Sequence, residues 1–238
     1  MPNKAATTNA MGGNLGFAWH SDPLLIYALS LAALLFGGIF LLILTIIFKH
    51  GRRLKSQKVQ DHFVALLNHA KQSLLEGKNI ERQISQINNL IEIHKTDVAY
   101  GWVRLLEKTP KEDRTQYIAI ASQTNMLHCV PHCLNEGGIA EKCIALEAIG
   151  LSGFENFTND AKLYVKQESI APYACIALAR LIGKDAITQI IDSYELGAIS
   201  TTQALSAIVE IPAVQIAEYM NNKLNKPIPP NLTTYLRV

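Results

Sequence analysis

Residues 24–48, LLIYALSLAALLFGGIFLLILTIIF, constrain this chain more than any other stretch: they contain no Asp, Glu, Lys, Arg or His. As a helix the run would be about 37 Å long against a hydrocarbon core of about 30 Å, enough to cross a bilayer with some tilt. A core helix of a water-soluble domain keeps a polar stripe, and this segment has none. Tyr27 lies near its start, and Trp19 and His20 just before it. Amphipathic rings favour that level of a membrane.

The flanks give the span a direction. Residues 1–23 carry only Lys4 and Asp22 as charged side chains, whereas the decade 49–58, KHGRRLKSQK, holds Lys49, Arg52, Arg53, Lys55 and Lys58. An excess of Lys and Arg in a short flank stays on the cytoplasmic side. The expected topology is a single-pass protein of the inner (cytoplasmic) membrane, with its N-terminus outside and its C-terminal part cytoplasmic. A cleaved signal peptide has a basic start and an apolar run of about 7–15 residues. Here the start is nearly uncharged, the run is too long and the basic charge follows it. Residues 1–23, small, polar and Gly-rich, read as a disordered tail. Ala33 and Gly37 form a small-xxx-small pair. Gly and Ala are common in membrane helices; the alternative reading of the pair is a homodimer through the span.

The net charge of +2 hides an asymmetry: the five cations of 49–58 leave residues 59–238 with 16 Lys and Arg against 19 Asp and Glu. A nucleic-acid-binding domain would carry a basic stripe, so none is expected to bind here. The basic decade, read as a juxtamembrane linker, suits topology and anionic headgroups, at about 1 kcal/mol per cation near the surface. Four cysteines, 129, 133, 143 and 175, fall on the expected cytoplasmic side, where thiols stay reduced.

Beyond the linker, apolar residues recur at helical spacing and alternation never persists. Val59, Phe63, Leu66, Leu67, Ala70 and Leu74 form one stripe, Ile80, Ile84, Ile87, Leu90 and Ile91 a second, and Val98, Trp102, Leu105 and Leu106 a third. Thr109-Pro110-Lys111-Glu112 predicts an N-cap, a Pro at the first helical position and a capping-box Glu opening a fourth helix. From about residue 125 the pattern repeats. Cys143-Ile-Ala-Leu-Glu-Ala-Ile149 aligns with Cys175-Ile-Ala-Leu-Ala-Arg-Leu181, with a weaker copy at Ala204-Leu-Ser-Ala-Ile208 and further apolar helices between them. A two-helix unit recurring every 27 to 32 residues is the mark of an α-solenoid.

The segment EKCIALEAIGLSGFENF followed by SIAPYACIALARLIGKDAITQII resembles two successive HEAT repeats, with Gly150, Gly153 and Gly183-Lys184-Asp185 where that family turns. The resemblance covers residues 125–210. It implies an all-α fold: one transmembrane helix, then an α-α superhelix of armadillo-like repeats over 125–224. Residues 59–124 would be degenerate repeats or a separate helical cap. It also implies a non-catalytic scaffold that binds protein along a concave face lined by second helices. By that analogy Tyr173 and Arg180 are candidate protein-binding residues, the plainer alternative being a solvated helix face. The family's enzymes fit less well: the repeated His-Glu dipeptides of its di-iron hydroxylases are absent, and its DNA glycosylases need a basic groove. Its phycobilin lyases are not excluded by motif, but a membrane anchor is unexpected for them.

The one constellation that could carry chemistry is His128-Cys129-Val-Pro-His132-Cys133. On a helix each i, i+4 pair shares a face and could hold zinc, but the pairs point about 100° apart. Pro131 predicts a helix start that would break the spacing. Core cysteines with surface histidines are the reading adopted, and a metal- or redox-responsive sensor is the alternative. No phosphate-loop, nucleophile-elbow or dinucleotide motif occurs. Residues 225–238, NKPIPPNLTTYLRV, read as a Pro-rich extended tail. The expectation is therefore a membrane-tethered adaptor for a protein partner, itself an inner-membrane protein such as an envelope or polysaccharide-synthesis enzyme. No cofactor, metal, nucleic acid or small-molecule substrate is expected.

Overall fold

Among the described residues, 23–224 of a computed structural model, every regular element is helical. Trp19, His20, the expected N-terminal tail to residue 22 and the Pro-rich tail 225–238 lie outside the described residues. Helix α1 runs Pro23–Leu75 without interruption. Proline suits a first helical turn because its missing N–H would be unpaired there anyway. The helix ends at Gly77, whose φ of 70° lets Lys78 N–H close back on the Ser73 carbonyl at 2.9 Å. A residue with a Cβ resists that left-handed conformation, so glycine fixes the stop. The basic decade 49–58, read as a linker, is itself helical. Its Lys, Arg, Leu and Gln are good helix formers, and Gly51 alone costs only about 1 kcal/mol.

The chain divides into two units after Arg53. In the first, the apolar side chains of α1 are exposed on every side: Leu34 and Phe36 at 74%, Leu41 at 65%, Ile47 at 61%. A helix of a soluble core would cover one face. The two aliphatic hydroxyls in the run turn back onto the helix. Ser30 Oγ donates to the Tyr27 carbonyl at 2.9 Å and Thr45 Oγ1 to the Leu41 carbonyl at 2.8 Å. Both are thereby satisfied without water, as an apolar surrounding requires. This is the one helix among the described residues that is long and apolar enough to cross a membrane.

The second unit begins with the end of α1 and continues through α2 (Glu81–Ile93), α3 (Lys95–Lys108), α4 (Lys111–Ala121), α5 (Met126–Asn135) and α6 (Ile139–Ser152). After them come α7 (Thr158–Tyr164), α8 (Ala171–Ile182), α9 (Ile187–Glu195), α10 (Thr201–Val209) and α11 (Ala213–Leu224). Helices α3, α6, α8 and α10 form a row in which each packs on the next, except that α3 and α6 also share α5. Each row member carries its sequence predecessor or near predecessor: α2 on α3, α5 on α6, α7 on α8, α9 on α10. The three related segments of sequence fall on α6, α8 and α10, which are neighbours in the row.

Small residues set the spacing of that row. Ala145, Ala148, Ala174 and Ala177 are fully buried, and a Cβ at Gly150 would lie 2.9 Å from the Ala177 Cα. Only hydrogen fits between α6 and α8 at that point. Two apolar clusters meet on α6: Ala148 and Leu151 pack with Phe63, Trp102, Ile120 and Met126, while Leu146 and Ile149 pack with Ala174, Leu178 and Ile190. Residues 59–124 therefore share a core with α5 and α6. Trp102, fully buried, donates its indole N–H to Ser152 Oγ at 2.8 Å and so ties α3 to the end of α6.

Two local expectations are corrected. The capping box at Thr109 does not form: Thr109 Oγ1 donates to the Leu105 carbonyl at 2.7 Å, closing α3, and α4 starts after Pro110 with no side-chain cap. The capping box that does form is Ser200 with Gln203, at the start of α10. Pro131, expected to start a helix, sits inside α5. It leaves the Leu127 carbonyl without its helical donor. Burial of Met126, Cys129, Val130, Cys133 and Leu134 on the same short helix offsets that loss.

Candidate functional site

The feature of the second unit best suited to receive a ligand is a groove of about 920 Å³. The last turns of α6 and α8, Gly150–Gly153 and Ala179–Gly183, line it, and Val209, Glu210, Pro212 and Gln215 close it from the α10–α11 side. One wall is the start of α4, through Lys111, Arg114, Thr115 and Ile118. α6 ends here because Gly153 takes φ 68° and Phe154 N–H returns to the Ile149 carbonyl.

Charge in the groove is unequal: its lining holds three cations, Lys111, Arg114 and Arg180, and one carboxylate, Glu210. Arg180 Nη2 donates to Glu210 Oε1 at 2.8 Å. That bond, followed by the charges of Arg180, Lys111 and Arg114, holds the Glu210 carboxyl below its ordinary range against the opposing effect of burial. Arg114 Nε donates to the Thr109 carbonyl at 3.0 Å, which pins the guanidinium against the α3–α4 corner. Neither Lys111 Nζ nor the terminal amino groups of Arg114 has an acceptor among the described residues. Arg180 Nη1 is buried without a hydrogen-bond partner. Beside Arg180, burial and then the Glu107 carboxylate push the Glu147 carboxyl up, while Arg180 works in the opposite direction.

Of the two residues proposed from the sequence for protein contact, Arg180 lines the groove, with a side chain 21% exposed and already paired to Glu210. Tyr173, at the other end of α8, is 41% exposed and is not part of the groove lining. Seven residues apart, the two share a helix face but stand about 10 Å apart along it. Lys111, Arg114 and Glu210 were not singled out from the sequence, because they lie outside the aligned repeat copies. The i, i+3 spacing of Lys111 and Arg114 just after a proline was a usable signal, since it places both on one face of a helix start.

The His/Cys segment is helical, so both i, i+4 pairs keep their spacing. Cys129 and Cys133 face inward and are buried; His128 is exposed and His132 Nδ1 lies 3.1 Å from Glu136 Oε2. Burial, and secondarily Cys133, pushes the Cys129 thiol up to about 12, and burial raises Cys133 as well. Zinc ligation and thiol redox chemistry both need the thiolate, which this setting disfavours. Among the described residues no group of three or more His, Cys, Asp or Glu is placed to hold a metal ion. Cys143 on α6 and Cys175 on α8 are free and buried. Lys49, Arg52, Arg53, Lys55 and Lys58, proposed for the membrane surface, are all exposed.

Comparison with family models, with curated proteins and with solved structures gives no match.

Proposed function

We propose that this chain is a membrane-tethered adaptor: α1 anchors it in a bilayer, and its second unit, a HEAT-like α-solenoid, binds a protein at the cytoplasmic face. The observation that carries the reading is the apolar stretch of α1, exposed on all sides and joined in sequence to helices that bury their own core. Water would not tolerate so large an apolar surface, and a bilayer demands it. Orientation with the N-terminus outside follows from the five cations after the span. At 100° per residue those cations spread over about 220° of the helix circumference, which suits contact with surrounding headgroups.

The solenoid reading is supported by the row α3–α6–α8–α10, by partner helices packed on each member, and by the kinship of the segments on α6, α8 and α10. Such rows present a long surface of second helices, here including Arg180 and Tyr173, and confining it to a membrane raises its effective concentration without new contacts. The client fits the class of multi-spanning inner-membrane proteins, such as an enzyme of envelope polysaccharide synthesis. A pull-down from mildly solubilised membranes tests the reading. The full chain should retain stoichiometric membrane proteins that the anchor alone, residues 1–58, does not. Equal recovery by the two would refute it.

A further inference from the structure

We propose that the groove between α4 and the ends of α6, α8 and α10 binds an extended acidic segment of a partner protein, held by Lys111 and Arg114 with Arg180 behind them. The proposal rests on the adaptor reading and names the site and the chemistry through which it would work. Two kinds of recognition surface meet in this groove. The first is cationic: Lys111 Nζ and the terminal amino groups of Arg114 have no acceptors among the described residues, and Arg180 has a buried Nη1 with none. A buried donor without an acceptor is costly, so the lining is left with unmet donor capacity. The first turn of α4 also carries Glu112 and Asp113, which are not part of the groove lining and offset the helix dipole, so the attraction rests on the Lys111 and Arg114 side chains themselves.

The second surface is the opposite in character. α6 and α8 both end in the groove, at Gly150–Gly153 and Ala179–Gly183. The last carbonyls of a helix lack helical donors and carry its partial negative charge. A free phosphate would gain from the α4 wall and lose to this floor. An extended peptide meets both, because its carboxylates suit the cations and its backbone N–H groups suit the carbonyls. The volume, about 920 Å³, exceeds what one anion fills and falls in the range that holds ligands of several residues. Glu210 already shows the mode in miniature: a carboxylate bonded to Arg180, with Lys111 and Arg114 near enough to stabilise its charge.

The test uses the full chain in detergent micelles and fluorescence anisotropy of a short labelled peptide of alternating Glu and Ala. Saturable binding is expected, and the peptide with Gln in place of Glu should bind at least about tenfold more weakly, the effect of one lost charge-assisted hydrogen bond. Lys111→Gln with Arg114→Gln should weaken the Glu peptide by about tenfold or more; the exposed Lys111→Gln alone gives a smaller loss in the same direction should the double variant misfold. Lys162→Gln with Lys166→Gln makes the same change in net charge on exposed positions away from the groove and should leave binding intact. No saturable binding, equal affinity in the groove variants, or equal loss in the distant control would overturn the proposal. So would inorganic phosphate that displaces the peptide through Lys111 and Arg114, since the site would then be an anion site. Should the peptide fail while membrane-protein capture still depends on residues 59–238, the groove is wrong and the adaptor reading stands.

Discussion

Removing the indole donor of Trp102 and its acceptor Ser152, singly and together, tests whether the first helices and the repeat-like helices form one cooperative unit. The indole N–H is buried and donates to Ser152 Oγ at 2.8 Å across the α3–α6 contact. Ser152→Ala leaves that N–H with no acceptor and should cost about 1–3 kcal/mol. Trp102→Phe loses the bond and opens space where the second ring stood, so about 2–3 kcal/mol is expected, below the roughly 3–5 of truncation to Ala. In the double variant nothing is left unpaired, and the total should fall short of the sum by about 1–2 kcal/mol. Against a stability of about 5–15 kcal/mol such losses are large. Urea titration of the full chain in mild detergent, followed by far-ultraviolet ellipticity, measures all four corners of the cycle. Additivity within about 0.5 kcal/mol would mean that the two residues do not interact and that the α3–α6 joint is misplaced.

Four further outcomes follow from the packing and the titrating groups. Gly150→Ala forces a Cβ to within 2.9 Å of the Ala177 Cα; overpacking of about 1–3 kcal/mol against a helix-propensity gain of about 1 leaves net destabilisation, read as a lower urea midpoint. With the Cys129 thiol raised to about 12, its thiolate fraction at pH 8 is on the order of 10⁻⁴, so maleimide labelling followed by peptide mass mapping should be about a thousandfold slower in the folded chain than in urea. Because all four thiols are raised on folding, their contribution is fully present below the unfolded thiol value of about 8.5 and declines as pH rises above it, so the urea midpoint should fall from pH 8 to 10. Burial and then Glu107 raise the Glu147 carboxyl on folding; Glu147→Gln should therefore raise the urea midpoint at neutral pH, and that gain should vanish as pH falls below the unfolded glutamate range.

The sequence disclosed most where periodicity is strong and chemistry is simple. The charge-free run of 24–48, the stripes on α1 to α4 and the kinship of α6, α8 and α10 all follow from which residues avoid water. What stayed hidden depends on geometry that pattern cannot carry. The pattern places a helix cap at Thr109, but its hydroxyl has an alternative acceptor in the preceding turn; Pro131 reads as a boundary, but buried neighbours outweigh one missing bond. The decade 49–58 reads as a linker by charge alone, yet its Lys, Arg, Leu and Gln favour a helix enough to carry His50, Gly51 and Ser56. The groove was half legible: Arg180 stood out within a repeat copy. Lys111 and Arg114 come to it from α4 and Glu210 from the end of α10, and only the packing of the helices places them together with Arg180.

The anchor is the claim on which the rest stands, and alkaline carbonate extraction of membranes tests it most directly. Carbonate strips proteins held by charge, including any bound only through Lys49 to Lys58, and leaves those whose apolar helix lies in the bilayer. The full chain should remain in the membrane pellet, at the same level as an established spanning protein. Its release into the supernatant would show that α1 does not cross the membrane and would remove the basis of the adaptor reading.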